Sequence, residues 1–117
     1  MNLNQFYRHY QNLYNRNLDE HQIRHIMIQL CSALSYLHSL HIMHRDIKPE
    51  NIMIDPSTLH IKLIDFGFAK KVADDPMTAY MVTRWYRPLE VVIGLKYDHK
   101  IDVFAAALIY LELTHGK

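Results

Sequence analysis

The segment Ile101-Asp102-Val103-Phe104-Ala105-Ala106-Ala107-Leu108-Ile109-Tyr110-Leu111-Glu112-Leu113 constrains the fold more than any other part of the chain. It is almost wholly apolar, and a helix that is apolar all round must lie at the centre of something larger. Two amphipathic helices are predicted upstream of it. Leu3, Phe6, Tyr7, Tyr10, Leu13 and Tyr14 recur at spacings of three and four, which predicts a short helix over 3–14. Asn15-Arg16-Asn17 breaks it. Asn17 stands three residues before Glu20, a start resembling a capping box. Ile23, Ile26, Met27, Leu30, Ala33, Leu34 and Leu37 then share one broad face, which predicts a long helix over about 18–39.

Between the helices the pattern changes. Residues 41–43, 52–55 and 60–64 read as short strands, and Asp55-Pro56-Ser57-Thr58 as a turn. Pro49 rules out a continuous helix through 44–51. Residues 67–87 are polar, contain Pro76 and lack a period, which predicts an extended loop. With 117 residues the chain has room for one small domain. Its formal charge of +1 gives no reason to expect nucleic acid or an anionic membrane as a partner. No apolar run approaches the roughly 18 residues of a membrane span. Met1–Gln5 lacks a basic region followed by an apolar core, so no signal peptide is expected. The single cysteine, Cys31, excludes an internal disulfide and fits a reducing compartment, the cytoplasm or the nucleus. Cys31 falls between Met27 and Leu34 and is expected to be a buried, inert thiol. His21 and His25 share a helix face, and a solvated face is the simpler reading than a zinc site.

The chemistry is concentrated in His44-Arg45-Asp46-Ile47-Lys48-Pro49-Glu50-Asn51 and in Asp65-Phe66-Gly67. A carboxylate, a lysine and a carboxamide share one short loop, and a second carboxylate follows fourteen positions after the carboxamide. With Thr83-Arg84-Trp85-Tyr86-Arg87-Pro88-Leu89-Glu90 and the Asp102–Ala107 run, these motifs resemble the eukaryotic protein kinases, in the family's order and spacing. Thr78-Ala79-Tyr80 upstream of Thr83 resembles the mitogen-activated branch of the group that also holds the cyclin-dependent kinases. The expected fold class is α+β and mainly helical. It corresponds to part of the large, C-terminal lobe of a protein kinase, with short β-strands around the catalytic loop.

That resemblance implies a Ser/Thr kinase using ATP and Mg²⁺. It casts Asp46 as the base that accepts the substrate hydroxyl's proton. Lys48 steadies the γ-phosphate, Asn51 and Asp65 are the metal oxygens, and Met53 lies beneath the adenine ring. His44 and Phe66 stack in an internal hydrophobic column, Gly67 allows the sharp turn after Asp65, and Asp102 holds the catalytic-loop backbone. Thr78 and Tyr80 match activation-loop phosphosites, with Arg45, Lys70, Arg84 and Arg87 as phosphate readers. Thr83 lies near Asp46 and Lys48, and Arg87 favours proline after the target residue. The implied partners are protein substrates bearing Ser or Thr, the residue after it being proline, and an upstream activating kinase.

Two motifs depart from the family, one of them also at Phe104, which stands where a tryptophan is usual and keeps the bulk without the indole donor. Pro88-Leu89-Glu90 stands where A-P-E is usual, keeping Glu90. Ala107 stands where a glycine is usual, adding a methyl at a place expected to be tightly packed. The three glycines, Gly67, Gly94 and Gly116, form no G-x-G-x-x-G, and no V-A-I-K precedes His44. Residues 1–117 therefore read as a partial kinase domain, from the helix after the hinge to the central helix, without the small lobe or the last helices. On this reading the fragment alone is inactive. The alternative is a non-catalytic, pseudokinase-like module that binds partners. A small-molecule phosphotransferase is weaker still, because such an enzyme needs no arginine-read phosphorylation lip.

Overall fold

The computed structural model describes residues 1–71 and 100–115. Helix α1 runs Leu3–Tyr14 and α2 runs Glu20–Ser39. Strand β1 (Ile42–Met43) leads into a loop that closes in a 3₁₀ turn, Pro49–Asn51. Strands β2 (Ile52–Ile54), β3 (Ile61–Leu63) and β4 (Lys70–Lys71) follow, and α3 runs Lys100–His115.

Both N-terminal helices begin on a reciprocal capping box. In α1 the Asn2 side chain accepts from Gln5 N while the Gln5 side chain accepts from Asn2 N. In α2 the cap is Asp19 with Gln22, not Asn17 with Glu20, so the helix starts two residues later than the expected 18. Asn17 is engaged elsewhere: its Oδ1 accepts from Gln11 Nε2 at 2.8 Å. Asn15 ends α1 in the left-handed region (φ 51°), its N–H donating to Gln11 O at 2.8 Å.

The strands form two antiparallel pairs. In one, Ile42 faces Lys71 and Met43 faces Lys70. In the other, Ile52, Met53 and Ile54 face Leu63, Lys62 and Ile61. β4 falls inside the stretch 67–87 that was expected to be a loop; two lysines give no alternation to read, and the pairing comes from β1. The β2–β3 turn is closed by Asp55, whose Oδ1 accepts from Ser57 N at 2.9 Å and Ser57 Oγ at 2.8 Å. The Ser57 bonds, the hydroxyl's first, hold the Asp55 carboxyl below its ordinary range.

The core joins Leu3, Phe6 and Tyr10 of α1 to Ile23, Ile26, Leu30 and Leu34 of α2, and to Ile52 and Ile54 of β2. From α3 it takes Ala105, Ala106, Ile109 and Leu113. Thus α3 is buried along one stripe, as a period of 3.6 requires, while Val103, Phe104, Tyr110 and Leu111 are 40–52% exposed. Ala107 is exposed as well, so its extra methyl meets no tight packing, contrary to the expectation from sequence. Cys31 is also exposed and not buried. The buried stripe of α2 is Ile23-Ile26-Leu30-Leu34, and Cys31 stands beside it on the flank where grooves of about 630 and 550 Å³ open between α2 and α3. His21 and His25 are exposed, in keeping with a solvated face. No helix among the described residues is long and apolar enough to cross a membrane.

Candidate active site

The 44–51 loop is held from beneath by α3. Asp102, in the first turn of α3 and 1% exposed, accepts His44 N on Oδ2 at 2.8 Å and Arg45 N on Oδ1 at 3.0 Å. These bonds fix the backbone where Arg45 takes a left-handed conformation, φ 69°. A non-glycine residue there costs on the order of 1–3 kcal/mol and persists only when its surroundings determine it. The Arg45 side chain is buried too, with Nε donating to Phe68 O. Arg45 therefore ties the loop to the residues after Asp65.

His44 is fully buried, and its two ring nitrogens have different tasks. A carbonyl only accepts, so Nε2 carries the hydrogen and donates to Ile64 O at 2.8 Å. Nδ1 then accepts from Asp46 N at 3.1 Å. The ring meets Phe66 edge-on, with centroids 4.8 Å apart at 62°. The expected His44–Phe66 contact is thus formed.

Asp46, also buried, is oriented from the far end of the loop. Asn51 Nδ2 donates to Asp46 O at 2.8 Å and to Asp46 Oδ2 at 2.9 Å. Pro49 and the 3₁₀ turn carry the chain round so that this reach across five residues is possible. Lys48 Nζ stands 3.8 Å from Asp46 Oδ1 with its side chain about 29% exposed. One carboxylate oxygen is thereby held by a carboxamide, and the other faces a cation at the surface of the loop.

The β2–β3 hairpin delivers the second carboxylate to the same end. Ile64 N donates to Asn51 O at 2.9 Å, which places Asp65 one residue beyond the end of the ladder. The sharp turn there belongs to Asp65 itself (φ 60°) and not to Gly67, for which no left-handed φ is found. Gly67 matters for space instead: a Cβ there would lie 3.2 Å from Asp65 Oδ1. Asn51 has committed its nitrogen to Asp46, so a cation here would meet its Oδ1, and Asp65 is an exposed carboxylate. A carboxamide oxygen and a carboxylate are the donor types that fit Mg²⁺, which takes few protein ligands and fills its shell with water and phosphate oxygens.

Met53 is half-buried on the hairpin face opposite Ile52 and Ile54, paired with Lys62. Lys70 is placed in β4 against Met43, away from Asp46 in sequence but tied to the loop's entry strand. Thr78, Tyr80, Thr83, Arg84, Arg87 and Glu90 lie outside the described residues.

Sequence reasoning passed over three contributors to this geometry. His38 approaches Asp102 from α2, Phe68 offers its carbonyl to Arg45, and Gln29 pins the hairpin. The backbone carbonyl has no sequence signal. His38 and Gln29 were hidden among the polar positions of an amphipathic helix.

The family profile of the protein kinase domain matches residues 1–117, the whole length of the chain. The chain belongs to the protein kinase family. This kinase segment is 39% identical over 101 residues to the stress-activated protein kinase JNK of Suberites domuncula, covering 85% of the segment and 27% of that protein. It is 44% identical over 103 residues to cyclin-dependent kinase 1 of Encephalitozoon cuniculi, covering 85% and 34%. To mitogen-activated protein kinase HOG1 of Torulaspora delbrueckii it is 38% identical over 106 residues, covering 90% and 24%. The kinase segment thus spans about a quarter to a third of the length of the curated relatives it matches. Its α+β, mainly helical architecture is that of part of a kinase domain.

Proposed function

We propose that this chain is the catalytic segment of a Ser/Thr protein kinase that transfers the γ-phosphoryl group of ATP to protein hydroxyls followed by proline. The observation that carries this reading is the buried Asp46 carboxylate, oriented by Asn51 on one oxygen and facing Lys48 on the other. A base held in this way can align a substrate hydroxyl and accept its proton. Lys48 supplies positive charge where phosphoryl oxygens would gather. Asn51 Oδ1 and Asp65 would hold Mg²⁺, which when bound neutralises phosphate charge. Met53 would line the floor of the nucleotide site. Thr78 and Tyr80 would be phosphorylated by an upstream kinase and read by Arg45, Lys70, Arg84 and Arg87, with Thr83 and Arg87 shaping the approach of a Ser-Pro or Thr-Pro peptide. The working compartment would be the cytoplasm or the nucleus.

The phosphate grip must come from outside residues 1–117, which contain no glycine-rich loop and no V-A-I-K lysine ahead of His44. Losing one preorganised donor costs about 10²–10³ in rate, so the 117-residue polypeptide by itself is expected to show no turnover. The same feature favours the second reading, a non-catalytic module that presents kinase-like surfaces to partners. The two readings separate in a chimera, in which residues 1–117 replace the matching region of the Suberites domuncula kinase. Transfer from ATP to a Ser-Pro peptide is expected, and Asp46→Asn should lower kcat by about 10²–10⁴. A folded chimera no faster than its Asp46→Asn variant would refute the catalytic reading.

A further inference from the structure

Leu59 stands two residues before β3 with φ 61°, a left-handed backbone on a bulky, half-buried residue. Such a conformation persists only where its surroundings determine it. Here both peptide planes flanking its Cα are held. The Leu59 N–H donates to Asp55 O at 2.7 Å, within the turn, and the Leu59 carbonyl accepts from Gln29 Nε2 at 2.7 Å. Gln29 comes from α2 and is no part of the hairpin. Its Nε2 faces two carbonyls, Leu59 O and, at 3.2 Å, His25 O, while its Oε1 faces Ile61 N at 3.1 Å. Only this orientation of the carboxamide makes every contact a hydrogen bond. The two strands differ in what else anchors them. β2 buries Ile52 and Ile54, and Met1 O accepts Ile54 N. β3 is half-buried at Ile61 and Leu63 and exposed at Lys62. Beyond the ladder, β3 is tied by Gln29 at its start and, just past its end, by Asn51 O, which accepts Ile64 N. Asp65 is the next residue.

We infer that Gln29 is a positioning residue for the strand that delivers Asp65, acting by holding Leu59 in its left-handed conformation. Without the carboxamide, Leu59 relaxes to an ordinary backbone, its bond to Asp55 O is lost, and β3 loosens from its first residue toward Asp65 while β2 stays in place. The inference rests on the metal-ligand reading of Asp65 only for its consequence in the reaction; the loosening itself is a property of the fold. Gln29→Met keeps the length of the side chain and removes both its donor and its acceptor. Leu59→Gly supplies a residue that takes a positive φ without strain. The test is amide hydrogen exchange by NMR on the ¹⁵N-labelled 117-residue chain, in the parent, in Gln29→Met and in the double variant. In Gln29→Met, protection at Leu59 N and Ile64 N should fall roughly tenfold or more, and at Ile54 N and Phe6 N it should stay within about threefold. Adding Leu59→Gly should return Leu59 N and Ile64 N to within about threefold of the parent. Ile61 N should stay low in both variants, because its acceptor is gone. Three results would overturn the inference. They are unchanged protection at Ile64 N in Gln29→Met, no recovery on adding Leu59→Gly, and a fall at Ile54 N and Phe6 N as large as that at Ile64 N. Phosphotransfer enters none of these readouts. An inactive chimera would therefore sink the kinase reading and leave this one standing, and the reverse holds equally.

Discussion

Replacing Asp102 by Asn isolates what a buried carboxylate does for the loop above it. The change is nearly isosteric, so packing is conserved and only one acceptor becomes a donor. If the amide nitrogen took the place of Oδ2, it would confront both His44 N–H and His38 Nε2–H. Taking the place of Oδ1, it confronts only Arg45 N–H, and this is the cheaper arrangement. Arg45 N is then a buried donor without an acceptor, at about 1–3 kcal/mol, and the two surviving bonds fall from charged to neutral strength. Neutralisation also removes the cost of burying a charge, which opposes the loss. With three donors already compensating the carboxylate, the hydrogen-bond side should win, for a net destabilisation of about 2–4 kcal/mol. For a chain of this size that lowers Tm by roughly 10–20 °C. Urea unfolding followed by circular dichroism should show a lower midpoint at constant m-value. An Asp102→Asn protein as stable as the parent, or more stable, would refute the reasoning and mark Asp102 as an uncompensated buried charge.

Three further outcomes are expected. Asp19→Ala removes the α2 cap and should cost about 1 kcal/mol in urea unfolding, whereas Asn17→Ala should not disturb the helix start. Gly67→Ala pushes a methyl against Asp65 Oδ1, an exposed and movable group, so stability should change by less than about 1 kcal/mol while Mg²⁺-dependent turnover of the chimera falls. The Asp55 carboxyl titrates below its ordinary value because Ser57 stabilises the anion, so its contribution to stability is present above the unfolded-state pKa and is lost as pH falls through the folded one. In Ser57→Ala an NMR titration should find the Asp55 pKa moved back up toward the ordinary carboxylate value.

Where the sequence carried periodicity it was a good guide. The 3–14 helix appears with those bounds, because aromatic and leucine spacing leaves one register able to bury Phe6 and Tyr10. The α2 start was misread because two overlapping boxes, Asn17–Glu20 and Asp19–Gln22, look alike on paper. They are separated only by the tertiary engagement of Asn17 with Gln11. Motif reading placed His44, Asp46, Lys48, Asn51 and Asp102 in one neighbourhood, and the geometry agrees. It assigned the turn after Asp65 to the glycine, as residue type would suggest, while the backbone puts the unusual φ on Asp65. Cys31 and Ala107 went astray for a shared reason. Both lie on the flank between α2 and α3, and an apolar residue beside an apolar stripe cannot announce whether a neighbouring helix reaches it.

The small β2–β3 hairpin has a consequence for association between chains. An isolated pair of strands presents two rows of unpaired amides and carbonyls, a template on which another chain can add a strand. Both rows are partly engaged here. On the β2 side, Met1 O accepts Ile54 N at 2.9 Å and Asn2 bridges Met53. On the β3 side, Gln29 reaches down from α2 to give Nε2–H to Leu59 O at 2.7 Å and take Ile61 N–H on Oε1 at 3.1 Å. One carboxamide thus imitates a strand's peptide group and occupies the start of that flank, so a chain adding a strand there would have to displace it.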